Sequence, residues 1–524
     1  MEKSRNSDNT QRKRRWIGLL ALCLLVLTGA AFRLHHLGDK ALWLDEIFTL
    51  VRTHQAGPLE IMERVMTNER HPPLFHLLSA PLLRPGHGDA AVRVVPALAS
   101  TLTILLTGLL AWRAFGRNAG LAAAALTAFS SFEVVTAQEG RPAALATLLL
   151  LASTLLFHRA VFGERGRGAT WATTIYGLTV ALALHTYYYA AYLVAAQMLF
   201  LLALGAARVR GSRSEESRFR VFGQGCHWPV LLAGSAGGLL VLPWALWARE
   251  SLIRFSTMAS TKEAVNYGPL AAADYFRALY VFPLKFSATW LNWSLAALVL
   301  AQLAAALLIS RTRERRFRLL AVLLLFLPLA AVIASPFKPE LFQPRHLAYL
   351  SPVFFILLAR LVTVLRPRWI AALLVVGFLA LNIFSLQLYF DLGYRKTAVR
   401  DCTAAIASSA RPGDAVLFNP AFASHSYERY EAGEPLPKII VYPGEFDRLK
   451  GELHRYRRVW LVEYRGATFG PLPSYDATVR RTFRPAGGRR TFTGVNEAIT
   501  VSLFVNPEAW PSRPTRQHTS EIRQ

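Results

Sequence analysis

Residues 12–50 read RKRRWIGLLALCLLVLTGAAFRLHHLGDKALWLDEIFTL. Arg12, Lys13, Arg14 and Arg15 lead into an apolar run from Trp16 to Phe32, and two adjacent carboxylates, Asp45 and Glu46, follow after a short connection. A helix needs roughly 20 apolar residues to cross a bilayer, and this run meets that length. Gly29, Ala30 and Ala31 resemble a secretory cleavage region, but the apolar core is longer than that of most signal peptides. We therefore read it as an uncleaved first span. Carboxylates are costly beside hydrocarbon, so two of them next to a span need a chemical reason.

The rest of the chain repeats the pattern of long apolar runs. Of 524 residues, 53% are hydrophobic and only 18% charged, too few charges for an ordinary soluble protein. Candidate spans are 16–34, 92–112, 119–136, 142–160, 171–187, 188–207, 229–248, 288–310, 318–335, 346–365 and 369–390. The expected fold class is thus an α-helical polytopic membrane protein of about 11 helices, followed by a small C-terminal α/β domain. A formal charge of +26 would point to nucleic acid in a soluble chain. Here the basic residues lie between apolar runs, where they set membrane orientation, and no nucleic-acid partner is expected.

With the N-terminus inside, the cytoplasmic connections become WRAFGRNAG (112–120), HRAVFGERGRG (158–168), RVRGSRSEESRFR (208–220), RTRERRFR (311–318) and RPR (366–368). All are rich in arginine, as the positive-inside rule asks. The loop 35–91 with its two acids, AQEGRP (137–142), residues 249–287, PFKPELFQPRH (336–346) and the tail then lie outside. The expected location is the cytoplasmic (inner) membrane, multi-pass. Cys23, Cys226 and Cys402 lie far apart, Cys23 within a span and the other two on opposite sides, which argues against a structural disulfide. No Cys/His spacing reads as a zinc site.

Residues 1–390 form the expected transmembrane domain. From Asp391 the character changes: TAAIASSARPGDAVLFNP (403–420), PKIIVYP (437–443) and RVWLVEY (458–464) contain strand candidates, with a charged helical segment at 444–458. Strand, helix, strand predicts a small α/β domain over 391–510, and 511–524 reads as a disordered tail. No glycine fingerprint or P-loop accompanies it.

The outer segments collect unusual residues. After Asp45 and Glu46 come His71 in ERHPPLFHLL, Arg93 at the mouth of the second span, Glu139 and Arg141 in AQEGRP, and Arg345 and His346 in QPRHLAYLSP. Each alone has a plain structural reading. Asp45 suits a helix N-cap, His71 a surface histidine, Arg93 and Arg345 snorkelling charges, and Glu139 with Arg141 a local pair. Tyr187, Tyr188, Tyr189, Trp244 and Trp247 read as interfacial aromatics, and Gly234 and Gly238 as helix-packing positions. Together, acids above arginines at one membrane face suit a lipid-borne phosphate with a reacting hydroxyl above it.

LWLDEIFTL (42–50), HPPLFHLL (71–78), RVVPAL (93–98) and AQEGRPAALATLLLL (137–151), in this order and spacing, resemble the polytopic GT-C glycosyltransferases. The branch resembled is family 39-like, which holds bacterial relatives of protein O-mannosyltransferases and lipid A aminoarabinose transferases. The resemblance implies a polyprenyl-phosphate sugar as donor and a glycan, lipid or protein as acceptor, among membrane lipids. It implies Asp45 as catalytic base with Glu46 beside it, and carrier-phosphate arginines at Arg93 and Arg345. His71, Arg141 and His346 join these as substrate-binding candidates. Gly140 and Ala143 depart from the bulkier residues of relatives, which leaves the catalytic part of Glu139 open.

A carboxylate that takes the acceptor proton and cations that receive the leaving phosphate suffice for single displacement with inversion. No cofactor is required by this scheme. A divalent cation at Asp45 and Glu46 is left open, because two neighbouring carboxylates need further ligands. Two other classes fit the span count: a polytopic transporter or flippase, and a non-catalytic lipid-binding envelope assembly protein. The first should show inverted repeats with paired broken helices; the second would not need Asp45.

Overall fold

The computed structural model describes residues 2–69, 71–83, 86–163, 166–209, 227–251, 253, 268–282, 289–309, 344–391, 393–441, 446–466, 479–480, 483–495 and 497–506. The chain forms two compact units, Met1–Asp39 with Thr49–Asp391, and Lys40–Phe48 with Leu392–Gln524.

The first unit is helical. Its elements are α1 (Glu2–Leu34), the second half of α2 (Leu44–Thr53), α3 (Pro58–Asn68), α4 (Leu74–Ser79), α5 (Ala90–Phe115), α6 (Arg117–Phe129), α7 (Ser131–Ala137), α8 (Ala143–Phe162), α9 (Arg167–Leu184) and α10 (Ala190–Val209). Then come α11 (Trp228–Leu239), α12 (Leu242–Trp247), α13 (Gly268–Val281), α14 (Thr289–Ile309), a 3₁₀ segment Pro344–Leu350, α15 (Ser351–Val364) and α16 (Arg368–Phe390). Helices occupy each expected span except 318–335, which lies outside the described residues. Among the described residues, seven helices are long and apolar enough to cross a membrane, or eight if α6 and α7 count as one span. The protein is a multi-pass membrane protein.

Two sequence expectations need correction. The run 119–136 is not one straight helix: α6 and α7 meet at 57°. Ser130 leaves the helical conformation and its side chain accepts the Glu133 N–H, capping α7. The carbonyls freed at the end of α6 are taken by Arg33, whose Nη1 and Nη2 donate to Ala128 O and Thr127 O at 3.2 and 3.1 Å. Asn382 of α16 accepts the Ser131 N–H at 2.7 Å. A break at membrane depth is tolerated only where such groups are satisfied internally, and here side chains do it. The second correction concerns glycines. A Cβ on Gly237 would stand 2.2 Å from Gly177 O, so α9 and α11 touch backbone to backbone there, whereas nothing lies within 4 Å of a Cβ on Gly238. Gly237, next to the predicted Gly238, makes the close approach.

The second unit is a small α/β domain, as the strand pattern predicts. Its six-stranded sheet has the order β2-β1-β3-β6-β4, with β5 also pairing β6. The strands are β1 (Asp414–Asn419), β2 (Lys438–Ile439), β3 (Arg458–Gly466), β4 (Arg484–Pro485), β5 (Arg490–Thr493) and β6 (Glu497–Val505). β1 runs parallel to β2 and β3, and β6 antiparallel to β3. Alternate residues of β1 serve two cores. Val416 and Phe418 pack with Cys402 and Tyr427, and Ala415 and Leu417 with Leu449 and Leu453. Covered on both faces, β1 is buried throughout, which explains its continuous apolar reading.

Candidate functional site

The double proline 72–73 lies between α3 and α4, with Pro73 the N-cap of α4. Glu69, just before it, is the extended C-cap of α3. Its carboxylate is buried and forms an ion pair with Arg52, whose Nη1 lies 2.7 Å from Oε2. Arg141 holds it with two donors, Nη1 to Oε2 and Nη2 to Oε1, both 3.2 Å. This fork is the strong, planar form of an arginine–carboxylate contact. Burial would raise the Glu69 carboxyl, but Arg141 and Arg52 outweigh it and hold it well below the usual range. His76, fully buried with Nε2 3.8 Å from Glu69 Oε2, is pushed down to about 3 by burial, against the Glu69 charge and with Arg52 and Arg141 adding. It is therefore neutral at physiological pH.

Next to this cluster His71 stacks on Tyr187, ring centroids 5.0 Å apart. Tyr187 Oη shares a 2.7 Å hydrogen bond with His346 Nδ1. Two predicted site histidines, far apart in sequence, are thus joined through Tyr187, which is buried and more than an interfacial aromatic. The 138–141 loop is pinned from several sides. Gln138 Nε2 donates to His35 O at 2.7 Å and Arg33 O at 3.1 Å, while Gly140 O accepts from Thr49 Oγ1 at 3.0 Å. Glu139 is buried in this loop, and its carbonyl accepts the Arg141 N–H at 2.7 Å. Arg93 is also buried, with Nη1 donating to Leu37 O at 2.9 Å. Arg345 falls in the 3₁₀ segment Pro344–Leu350; its side chain lies outside the described residues.

Asp45 and Glu46 belong to the second unit, since residues 40–48 pack with the C-terminal domain. Leu42 N donates to Tyr430 Oη at 2.6 Å, Lys40 Nζ to Tyr394 O at 3.0 Å, and Phe48 meets Phe422 edge-on at 5.7 Å. Both acids stand in the first turn of α2, where carboxylates favour the helix dipole. Glu46 is fully buried and reaches back to the Trp43 N–H at 3.3 Å, one half of a capping box. Capping is thus the work of Glu46, and Asp45 falls inside the turn. Among the described residues, no three His, Cys, Asp or Glu side chains converge as a metal site.

Sequence reading passed over Arg52, Glu69, His76 and a further acid, Glu497 at the start of β6, and took Tyr187 for an interfacial aromatic. Burial lifts the Glu497 carboxyl to about 7, against a hydrogen bond from Thr397 and with the Asp45 charge adding. A carboxyl raised above its unfolded value of about 4.3 stabilises fully below that value, and the contribution is lost as pH rises through 7. Amide exchange of β6 in the full chain should therefore report weaker protection at pH 8 than at pH 5, after correction for intrinsic rates. Glu497→Gln should flatten that difference; a parallel pH dependence in both proteins would remove Glu497 as its source.

Comparison with known proteins agrees with this architecture. Residues 70–214 match the family model for dolichyl-phosphate-mannose-protein mannosyltransferase. No curated protein sequence matches the chain. Among solved structures, the chain is similar to ArnT from Cupriavidus metallidurans. The form bound to undecaprenyl phosphate has TM-score 0.54 and 14% identity over 93% of this chain and 98% of that one. The apo form has TM-score 0.59 and 12% identity over 94% and 98%. The oligosaccharyltransferase of Archaeoglobus fulgidus tethered to an acceptor peptide follows at TM-score 0.50 and 11% identity, over 85% of this chain and 69% of that one. The chain thus shares the fold of these solved structures, and its residues 70–214 are similar to the mannosyltransferase family model.

Proposed function

We propose that the protein moves a sugar from a polyprenyl-phosphate donor to a hydroxyl acceptor at the outer face of the cytoplasmic membrane, with inversion and with Asp45 as general base. The observation that carries this reading is the Arg52–Glu69–Arg141 cluster, one buried carboxylate shared by two arginines. Such a site suits an anion that comes and goes, because the cations stay fixed by Glu69 between turnovers. The likeness to a fold that binds undecaprenyl phosphate supports a lipid carrier. In the reaction the acceptor oxygen bonds to the anomeric carbon as its proton passes to Asp45. The bond from that carbon to the carrier's phosphate oxygen breaks, and the electron pair leaves with the phosphate. Arginine serves the leaving group through permanent charge and a planar fork of donors.

Arg93 and Arg345 are our candidates for the carrier phosphate, and His71, Arg141 and His346 for holding substrate. The N-terminus is assigned to the cytoplasm and 391–510 to the outside, on the arginine-rich connections. Deleting the gene should leave an accumulated polyprenyl-phosphate sugar in extracted lipids and remove one glycan from the envelope, both read by mass spectrometry. An unchanged lipid and glycan profile, under conditions where the protein is expressed in the parent strain, would refute the transferase reading.

A further inference from the structure

At the arginine-rich end of the helical unit, residues 14–19 of α1, the end of α5, the start of α6 and the end of α15 line an open cavity of about 790 Å³. Five arginines line it: Arg14, Arg15, Arg113, Arg117 and Arg360. Among the described residues no carboxylate lines it. Arginine does not shed its proton, so Arg14, Arg15, Arg113 and Arg117 gather like charges around this opening, and an anion among them would relieve their repulsion. Two of the cations are fixed in place. Arg117 Nη1 donates to Arg14 O at 3.0 Å, and the Arg360 guanidinium lies 5.4 Å from the Phe115 ring centroid.

The start of α6 supplies an independent second feature. This 13-residue helix begins after Gly116, a residue at φ 94° with no side-chain cap. The first N–H groups of a helix have no acceptor within it, and they draw anions. Gly116, Asn118 and Ala119 all line the cavity. The remaining wall is apolar, built from Leu19, Leu109 and Trp112. These belong to α1 and α5, both long enough to cross the membrane, so the cavity opens at the depth where headgroups meet acyl chains.

We propose that this cavity binds the phosphate headgroup of an anionic membrane phospholipid, with an acyl chain against Leu19, Leu109 and Trp112. The arginines and the α6 N-terminus recognise the phosphate. The apolar wall distinguishes a lipid from free phosphate, which would leave that surface unused. Positively charged connections attract anionic membranes in general. This site differs in gathering its charges around one open pocket beside a helix N-terminus, and its test must separate the two.

The test uses the full chain, stripped of lipid in a neutral detergent and titrated with phosphatidylglycerol, phosphatidylcholine or inorganic phosphate. Native mass spectrometry reads bound lipid, and thermal shift reads stabilisation. Arg113→Gln with Arg360→Gln should weaken phosphatidylglycerol binding about thirtyfold, at the usual contribution of a basic residue near an anionic surface. Arg159→Gln with Arg167→Gln removes two exposed arginines of the same membrane side outside the cavity, and should leave binding near wild type. Should the first pair fail to fold, Arg113→Gln alone, at an exposed position, should still weaken binding about fivefold. Equal losses in the cavity and control variants would overturn the site in favour of general surface attraction. Equal stabilisation by phosphatidylcholine, or by inorganic phosphate at the same concentration, would overturn the anionic-lipid assignment.

Discussion

Asp45→Asn lowers sugar transfer by about a hundredfold to ten-thousandfold, the usual contribution of a positioned general base, while expression and donor binding stay near wild type. Asparagine keeps the shape of the side chain and much of its hydrogen bonding but accepts no proton. The measurement is single-turnover transfer in detergent or liposomes, with lipid-donor binding alongside. A purely structural role predicts something else. Loss of a helix cap costs about 1 kcal/mol, and asparagine is itself a good cap, so transfer would change little. Glu46→Gln separates the pair further. Glu46 is buried and bonds back to the Trp43 N–H, a contact that glutamine can keep. Its substitution should therefore affect transfer less than that of Asp45. Near-normal transfer by Asp45→Asn would end its candidacy as base and pass the role to Glu46 or Glu139.

The two acids were legible in the sequence because they interrupt apolar surroundings right after a span. The span pattern and the strand–helix–strand tail were legible for the same reason: burial leaves a periodic or continuous apolar signature. What escaped depends on contacts that no local pattern encodes. Glu69 stood in the quoted ERHPPLFHLL stretch, yet its partners Arg52 and Arg141 come from α2 and the 138–141 loop. Arg33 and Glu133 did carry a signal, each being the charge that breaks an apolar run, and intramembrane charges deserve a partner search. Both donate to or accept from Ser100, Arg33 Nε at 2.9 Å and Glu133 Oε2 at 3.1 Å, and Glu133 also accepts from Ser351. Hydropathy averages hide such a network. Tyr187 was misjudged because an aromatic at a helix end looks the same whether it faces lipid or, as here, two histidines.

Glu69→Gln should have the largest effect on stability of any single change in residues 35–91. It leaves Arg52 and Arg141 buried with their shared carboxylate gone, and breaking a buried pair from one side typically costs about 3–5 kcal/mol. The sign with pH follows from the depressed Glu69 carboxyl. Its contribution is complete above the unfolded value of about 4.3 and is lost only as pH falls through the lower folded value. The gap between wild type and variant should therefore stay constant from pH 5 to 8, read by hydrogen exchange of α3 and α4. The variant also distinguishes a structural knot from a phosphate site. If the arginines meet the carrier phosphate, added polyprenyl phosphate replaces the lost anion, and a ligand that binds the folded state stabilises it by mass action. Polyprenyl phosphate should then restore more protection to Glu69→Gln than it adds to wild type. Equal increments in the two proteins would mean that Arg52 and Arg141 serve Glu69 alone, and the carrier phosphate would have to be sought at Arg93 and Arg345.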